Sequence, residues 1–342
     1  MFKSILTVAC AGALFFAPSI ASALTDVWNF FYADDYEASI SDTSMLYLSV
    51  ESFQGPWGDV LKSTMDITDN KVPGWKYLAG DTKGKEAFSW VLWQNQYVKT
   101  TYALSCAGTD SPYDVATFLP MMVDEDYSQQ MRDAIDTLQD IKDMVPTDIK
   151  KLYITGHSLG GYLAMFLGTE VVDAYNNQSA FGLTFDSIFG AKGSSLTMDP
   201  EDPDVKAVTF GAPGFYKTTI KFASDLVDVL QSKGVTIYDG GVRAPSWSQT
   251  KFNRDAAGKY KDYVINYKNS YDPVANLFIA PSAFVHVGTT KNIDVTKPNI
   301  LEAQIRWALN KIPVVNYGYR IANILYHTPT VYLDMVESQK YN

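Results

Sequence analysis

The chain has 342 residues with a formal net charge of −10 at pH 7, and it is 46% hydrophobic and 14% aromatic. That apolar content is ample for a globular core and excludes a disordered ground state. The acid excess, with no Lys/Arg run to offset it, sets aside nucleic acid and anionic membrane surfaces as electrostatic partners, because phosphate-rich ligands reward basic patches.

Lys3, an apolar stretch over residues 5–17 and the small-x-small sequence Ser19-Ile20-Ala21-Ser22-Ala23 read as a signal peptide, residues 1–23, cleaved near Ala23. The expectation is a secreted or periplasmic chain. Its mature part, 24–342, holds no transmembrane segment, since no later window has about 18 uninterrupted apolar residues. Cys10 falls in the leader and has no Leu three positions before it, which argues against a lipid anchor. Only Cys106 then remains, so no intramolecular disulfide can form and the core alone must hold the fold. Cys106 is expected to be buried and inert.

Beyond the leader, residues 24–93 are rich in aromatics and turn formers and read as an N-terminal covering segment. Strand and helix then alternate. Residues 97–104 read as a strand, and 129–145 place Met131, Ile135, Leu138 and Ile141 at helical spacing. Residues 151–155 are a strand, followed by Gly156-His157-Ser158-Leu159-Gly160-Gly161 and the start of an apolar helix at 162–167. Strands are expected again at 205–210 and 263–267, with an insertion at 215–261 between them. This order predicts an α/β fold, a mostly parallel sheet flanked by helices, with functional residues gathered at the carboxyl ends of the strands.

A Gly-x-Ser-x-Gly turn between strand and helix strains the backbone and exposes the serine hydroxyl, and its glycines are needed where a Cβ would strike the neighbouring strand or helix. The turn predicts acyl transfer at Ser158, with the backbone N–H of Leu159 as an oxyanion donor. A serine hydroxyl needs a base, and an imidazole oriented by a carboxylate is the usual solution. Of three histidines, His157 precedes the nucleophile and points away from it, which leaves His286 or His327. For the acid, Asp272 lies just past a strand-like stretch, whereas Asp199, Asp202 and Asp204 belong to an acidic loop and Asp225 to a helix-like segment. Asp272 precedes Pro273, so it can also be read as an Asx-turn residue.

Four separated motifs resemble the class 3 lipase family, the fungal-type triacylglycerol lipases of α/β-hydrolase fold. They are Cys106-Ala107-Gly108-Thr109-Asp110, the serine turn, Thr209-Phe210-Gly211-Ala212-Pro213 and Asp272-Pro273-Val274. The resemblance implies Thr109 as second oxyanion donor. It also implies a non-catalytic His-x-Gly segment, matched by His286-Val287-Gly288, and a later histidine followed by an aromatic, matched by His327 and Tyr332. His327 is therefore the expected base and His286 the alternative, with Ser158, Asp272 and His327 as the triad. Ala107 departs from the arginine often found there.

The resemblance also places a lid over residues 111–123, whose apolar side chains include Met121 and Met122. The same residues can equally be read as buried core. The implied activity is hydrolysis of a lipid ester, triacylglycerol or phospholipid, with the substrate met at a lipid–water interface. No cofactor and no metal are expected: residues 198–204 are acidic, but their prolines and missing glycine do not match a calcium loop. The rival readings are a serine peptidase or thioesterase on the same scaffold, and an inactive hydrolase-like protein that binds a lipid or a partner.

Overall fold

The computed structural model describes residues 36–53, 72, 74–82, 88–108, 129–216, 246–270, 272, 274–276, 284–293, 327, 329, 331–333 and 336. The leader, Thr109, the lid segment 111–123, Asp225 and the insertion between 217 and 245 lie outside them.

Among the described residues, seven strands form one sheet in the order β1-β2-β3-β4-β5-β7-β9. Strands β1 (Trp75–Thr82), β2 (Ser89–Asn95) and β3 (Thr101–Cys106) pair antiparallel. From β3 onward the pairing is parallel, through β4 (Lys151–His157), β5 (Val205–Phe210), β7 (Val264–Asn269) and β9 (Thr289–Ile293). Strands β6 (Phe215–Tyr216) and β8 (Phe284–Val285) make a separate antiparallel pair. The sheet is mostly parallel and flanked by helices, an α/β arrangement.

Two expectations shift. The strand expected at 97–104 begins at Thr101, because Asn95 Oδ1 accepts the backbone N–H groups of Tyr97 at 2.8 Å and Val98 at 3.0 Å and turns the chain between β2 and β3. Part of the stretch 24–93 is integral to the sheet, since β1 and most of β2 extend it. Antiparallel hairpin strands need no crossover helix, so the helical rhythm that marks the parallel strands is missing there.

Alternation along each strand divides the side chains between two apolar layers. Leu92, Leu104, Leu152, Ile154, Ala207 and Val264 face helices α2 (Gln129–Met144), α3 (Leu159–Tyr175) and α4 (Phe185–Phe189). Trp93, Ala103, Tyr153, Val208 and Phe210 face Met45, Leu46 and Leu48 of α1 (Asp42–Glu51). The Ser41 side chain caps α1, and Thr155 Oγ1 donates to the Met45 carbonyl at 3.0 Å, which joins that helix to β4.

Helix α3 is buried on every side, and with it the carboxylates of Glu170 and Asp173. The helix α5 (Ser246–Ala256) supplies their counter-charges. Lys251, itself 1% exposed, sits 2.6 Å from Glu170 and 2.5 Å from Asp173, and Asp173 also receives Arg254 at 2.5 Å, Lys259 at 3.1 Å and the Tyr260 hydroxyl at 3.0 Å. Removing one member of a buried ion cluster strands its partner. Lys251→Met should therefore lower unfolding stability by about 3 kcal/mol in urea titration, and adding Glu170→Gln should restore part of the loss.

No helix among the described residues is long and apolar enough to cross a membrane.

Candidate active site

The site forms at the carboxyl ends of β4, β5 and β7. Where β4 passes into α3, Ser158 adopts φ 61° and ψ −128°, a conformation that costs a non-glycine residue on the order of 1–3 kcal/mol. Hydrogen bonds hold it on both sides: its N–H donates to the Phe210 carbonyl at 3.0 Å, and its own carbonyl accepts the Tyr162 N–H at 3.1 Å. Its side chain makes no capping bond to α3, so the hydroxyl is not engaged by the helix terminus. Leu159 opens that helix, where free N–H groups and the helix dipole favour negative charge.

The turn is compact because its glycines touch backbone. A Cβ on Gly160 would lie 2.1 Å from the Cys106 carbonyl oxygen, and one on Gly156 would lie 2.2 Å from the Gly160 carbonyl. The loop leaving β3 is thereby pressed onto the start of α3, which brings Gly108, next to Thr109, against the His157 carbonyl. Cys106 is fully buried there, and burial pushes its thiol far above the usual range.

Asp272 follows β7 and is fully buried. One carboxylate oxygen, Oδ1, accepts the backbone N–H groups of Val274 at 2.7 Å and Ala275 at 3.1 Å. The other, Oδ2, accepts His327 Nδ1 at 2.8 Å and the Tyr332 hydroxyl. The Asx-turn bonds and the bond to His327 thus use different oxygens of one carboxylate: the turn engages Oδ1, and Oδ2 meets the imidazole and the Tyr332 hydroxyl. Tyr332 is buried and its hydroxyl is held well above the usual tyrosine range, first by burial and then by the Asp272 charge, so it stays a donor.

With Nδ1 donating to a carboxylate, His327 carries its lone pair on Nε2. That nitrogen is buried and forms no hydrogen bond among the described residues. The described residues therefore show no hydrogen bond from Ser158 to this nitrogen. Gly211, at φ +59°, fits into the gap beside the pair: a Cβ there would sit 3.0 Å from Asp272 Oδ2 and 3.1 Å from His327 Nδ1.

His286 is engaged differently. Its Nε2 donates to the Ala212 carbonyl at 2.6 Å, and burial pulls its pKa down to about 4, so it is a neutral structural donor at neutral pH. His157, set aside in the sequence as a candidate base, lies against His327, with ring centroids 4.6 Å apart. Its position at the end of β4 was legible; which neighbour packs on that end was not.

The rival carboxylates are remote from the pair. Asp199, Asp202 and Asp204 precede β5 and so lie at the opposite, amino end of that strand. They bond to the chain: Asp199 to the Glu201 N–H, Asp204 to Thr197 and Asp202 to Lys151 at 2.6 Å. Among the described residues no group of His, Cys, Asp and Glu could hold a metal ion.

Residues 109–230 match the family model described as lipase (class 3). No curated protein matches the chain. Among solved structures, lipase II from Rhizopus niveus is 16% identical, with 65% of this chain and 68% of that one covered and a TM-score of 0.35. A mutant of MDLA from Penicillium cyclopium is 13% identical over 78% and 82% of the two chains, TM-score 0.40. A lipase from Rhizopus microsporus var. chinensis is 15% identical over 74% and 72%, TM-score 0.35.

Proposed function

We propose, on the premise that residues 109–230 are a class 3 lipase segment and the chain is a carboxylic ester hydrolase of α/β-hydrolase fold, that it is a secreted enzyme cleaving lipid esters through Ser158, His327 and Asp272. The observation that carries this reading is the buried Asp272–His327 pair, gathered at the same carboxyl strand ends as a serine in a strained strand-to-helix turn.

In this reading His327 Nε2 takes the Ser158 proton as Oγ bonds to the ester carbonyl carbon. The oxyanion that forms is held by the N–H of Leu159 and by Thr109, each such donor lowering the barrier by about 3 kcal/mol. Collapse expels the alcohol with the proton from His327 and leaves an acyl-serine. Water, activated by the same imidazole, releases the fatty acid. Asp272 keeps the tautomer and steadies the imidazolium without being protonated itself. The leader, residues 1–23, supports export, and the apolar residues 111–123 beside the oxyanion loop support a lid that opens at a lipid–water interface, with triacylglycerol or phospholipid as substrate.

Hydrolysis of p-nitrophenyl esters by residues 24–342 should rise from acetate toward octanoate or longer, and rise again when substrate passes its solubility limit. A peptide substrate should not be cleaved. Equal rates on all acyl lengths, or peptide cleavage, would replace the lipid reading by another serine hydrolase; an inert protein at an emulsion surface would point to a binding protein.

A further inference from the structure

We infer that His157 is a positioning residue for the base: its Nε2–H holds the main-chain carbonyl of His327 while its ring lies against the His327 imidazole. This rests on His327 being the base.

The bond from His157 Nε2 to the His327 carbonyl oxygen is 2.7 Å, and the two rings are inclined by 32° with centroids 4.6 Å apart. A carbonyl only accepts, so Nε2 carries the hydrogen and Nδ1 is bare; that Nδ1 is buried without a partner among the described residues. The tautomer of His157 is therefore set by its neighbour's backbone. Burial first, and then the adjacent His327, keep His157 well below the usual histidine range, so it stays neutral when the base takes up the serine proton. A second cation at this distance would oppose formation of the imidazolium, whereas a neutral ring does not.

The ring itself is immobilised. His157 is 3% exposed at the end of β4, with Phe53 at 6.1 Å and the edge-on Tyr332 ring at 5.9 Å on other sides. Asp272 grips only Nδ1 of the base, and an imidazole held at one atom can still swing about that bond. Holding the His327 carbonyl fixes the root of the side chain as well, so Nε2 is aimed from two ends. Since a misplacement of about 1 Å at a reacting centre costs roughly a hundredfold in rate, this second anchor should be visible in kcat.

The test compares His157→Gln, which keeps an N–H donor at similar reach but no ring, with His157→Phe, which keeps the ring and deletes the donor. His157→Met, with neither, stands in if the Phe variant fails to fold. Each is assayed on p-nitrophenyl butyrate beside wild type and His327→Ala, with melting temperature as the check on folding. The expected result is a fall in kcat of about tenfold or more for Phe or Met at unchanged KM, with Gln within about threefold of wild type. The inference is overturned if the donorless variant matches wild type, if Gln falls as far as it does, or if the change is in KM alone. An active His327→Ala would instead sink the assignment of the base; an inactive His327→Ala beside a fully active His157→Phe would sink only the role of His157.

Discussion

Ser158→Ala should lower kcat for ester hydrolysis by about 10⁵-fold or more while leaving the protein folded. In the proposed mechanism the hydroxyl forms the acyl bond, and neither neighbouring nucleophile could replace it: Cys106 is sealed in the core with its thiol protonated, and Tyr332 is committed to Asp272. His327→Ala should be similarly inactive, because triad members act as a unit, whereas His286→Gln should keep near wild-type activity, since its imidazole serves the Ala212 carbonyl and not the serine. Stability gives an independent readout. Ser158 is held at φ 61° only by its surroundings, so Ser158→Gly, which relieves that strain, should raise the melting temperature as activity disappears. Hydrolysis rates and thermal melts on the same preparations check both statements. A Ser158→Ala enzyme retaining more than about one hundredth of wild-type kcat would refute the nucleophile.

The largest effect on folding is expected at Gly160. A methyl group there would sit 2.1 Å from the Cys106 carbonyl oxygen and 2.7 Å from the Ala107 carbonyl carbon. Both obstacles are backbone, one of them at the end of a central strand whose neighbours on each side are paired, so neither can move aside cheaply. Gly160→Ala should cost more than about 3 kcal/mol in urea titration, or yield no soluble protein, and the contact between the β3 loop and α3 would be lost with it. Gly182→Ala is the control. That glycine has φ +67° with nothing within 4 Å of the added Cβ, so the penalty there is the left-handed backbone alone, about 1–2 kcal/mol, with activity intact. Equal losses at the two positions would mean that conformational strain, and not close packing, dictates glycine in the turn.

Much of this was readable along the chain because it depends on near neighbours in sequence. The Val205–Phe210 strand, the helix over Gln129–Met144 and the strand-to-helix turn at Ser158 each follow from local periodicity and glycine placement. The pairing of Asp272 with His327 spans 55 residues, and periodicity alone left His286 equally open. Resemblance to a family favoured His327, and the bond at 2.8 Å is what joins it to the acid in space. Strands β1 and β2 were hidden in the opposite sense: as an antiparallel hairpin with a bulge between Tyr77 and Ala79, they carry no flanking helix to announce them.

By itself, the sequence determined that the chain alternates strand and helix, that its serine sits in a strained strand-to-helix turn, though not that this serine is buried, and that an acid and a histidine follow in order. These are consequences of short-range sterics and of period-2 and period-3.6 patterning. Only the tertiary structure decided which histidine meets Asp272, that both oxygens of that carboxylate are used, and that His157 lies on the base. Each of those depends on which strand ends are neighbours, and parallel pairing brings together residues whose separation in sequence leaves no local signature.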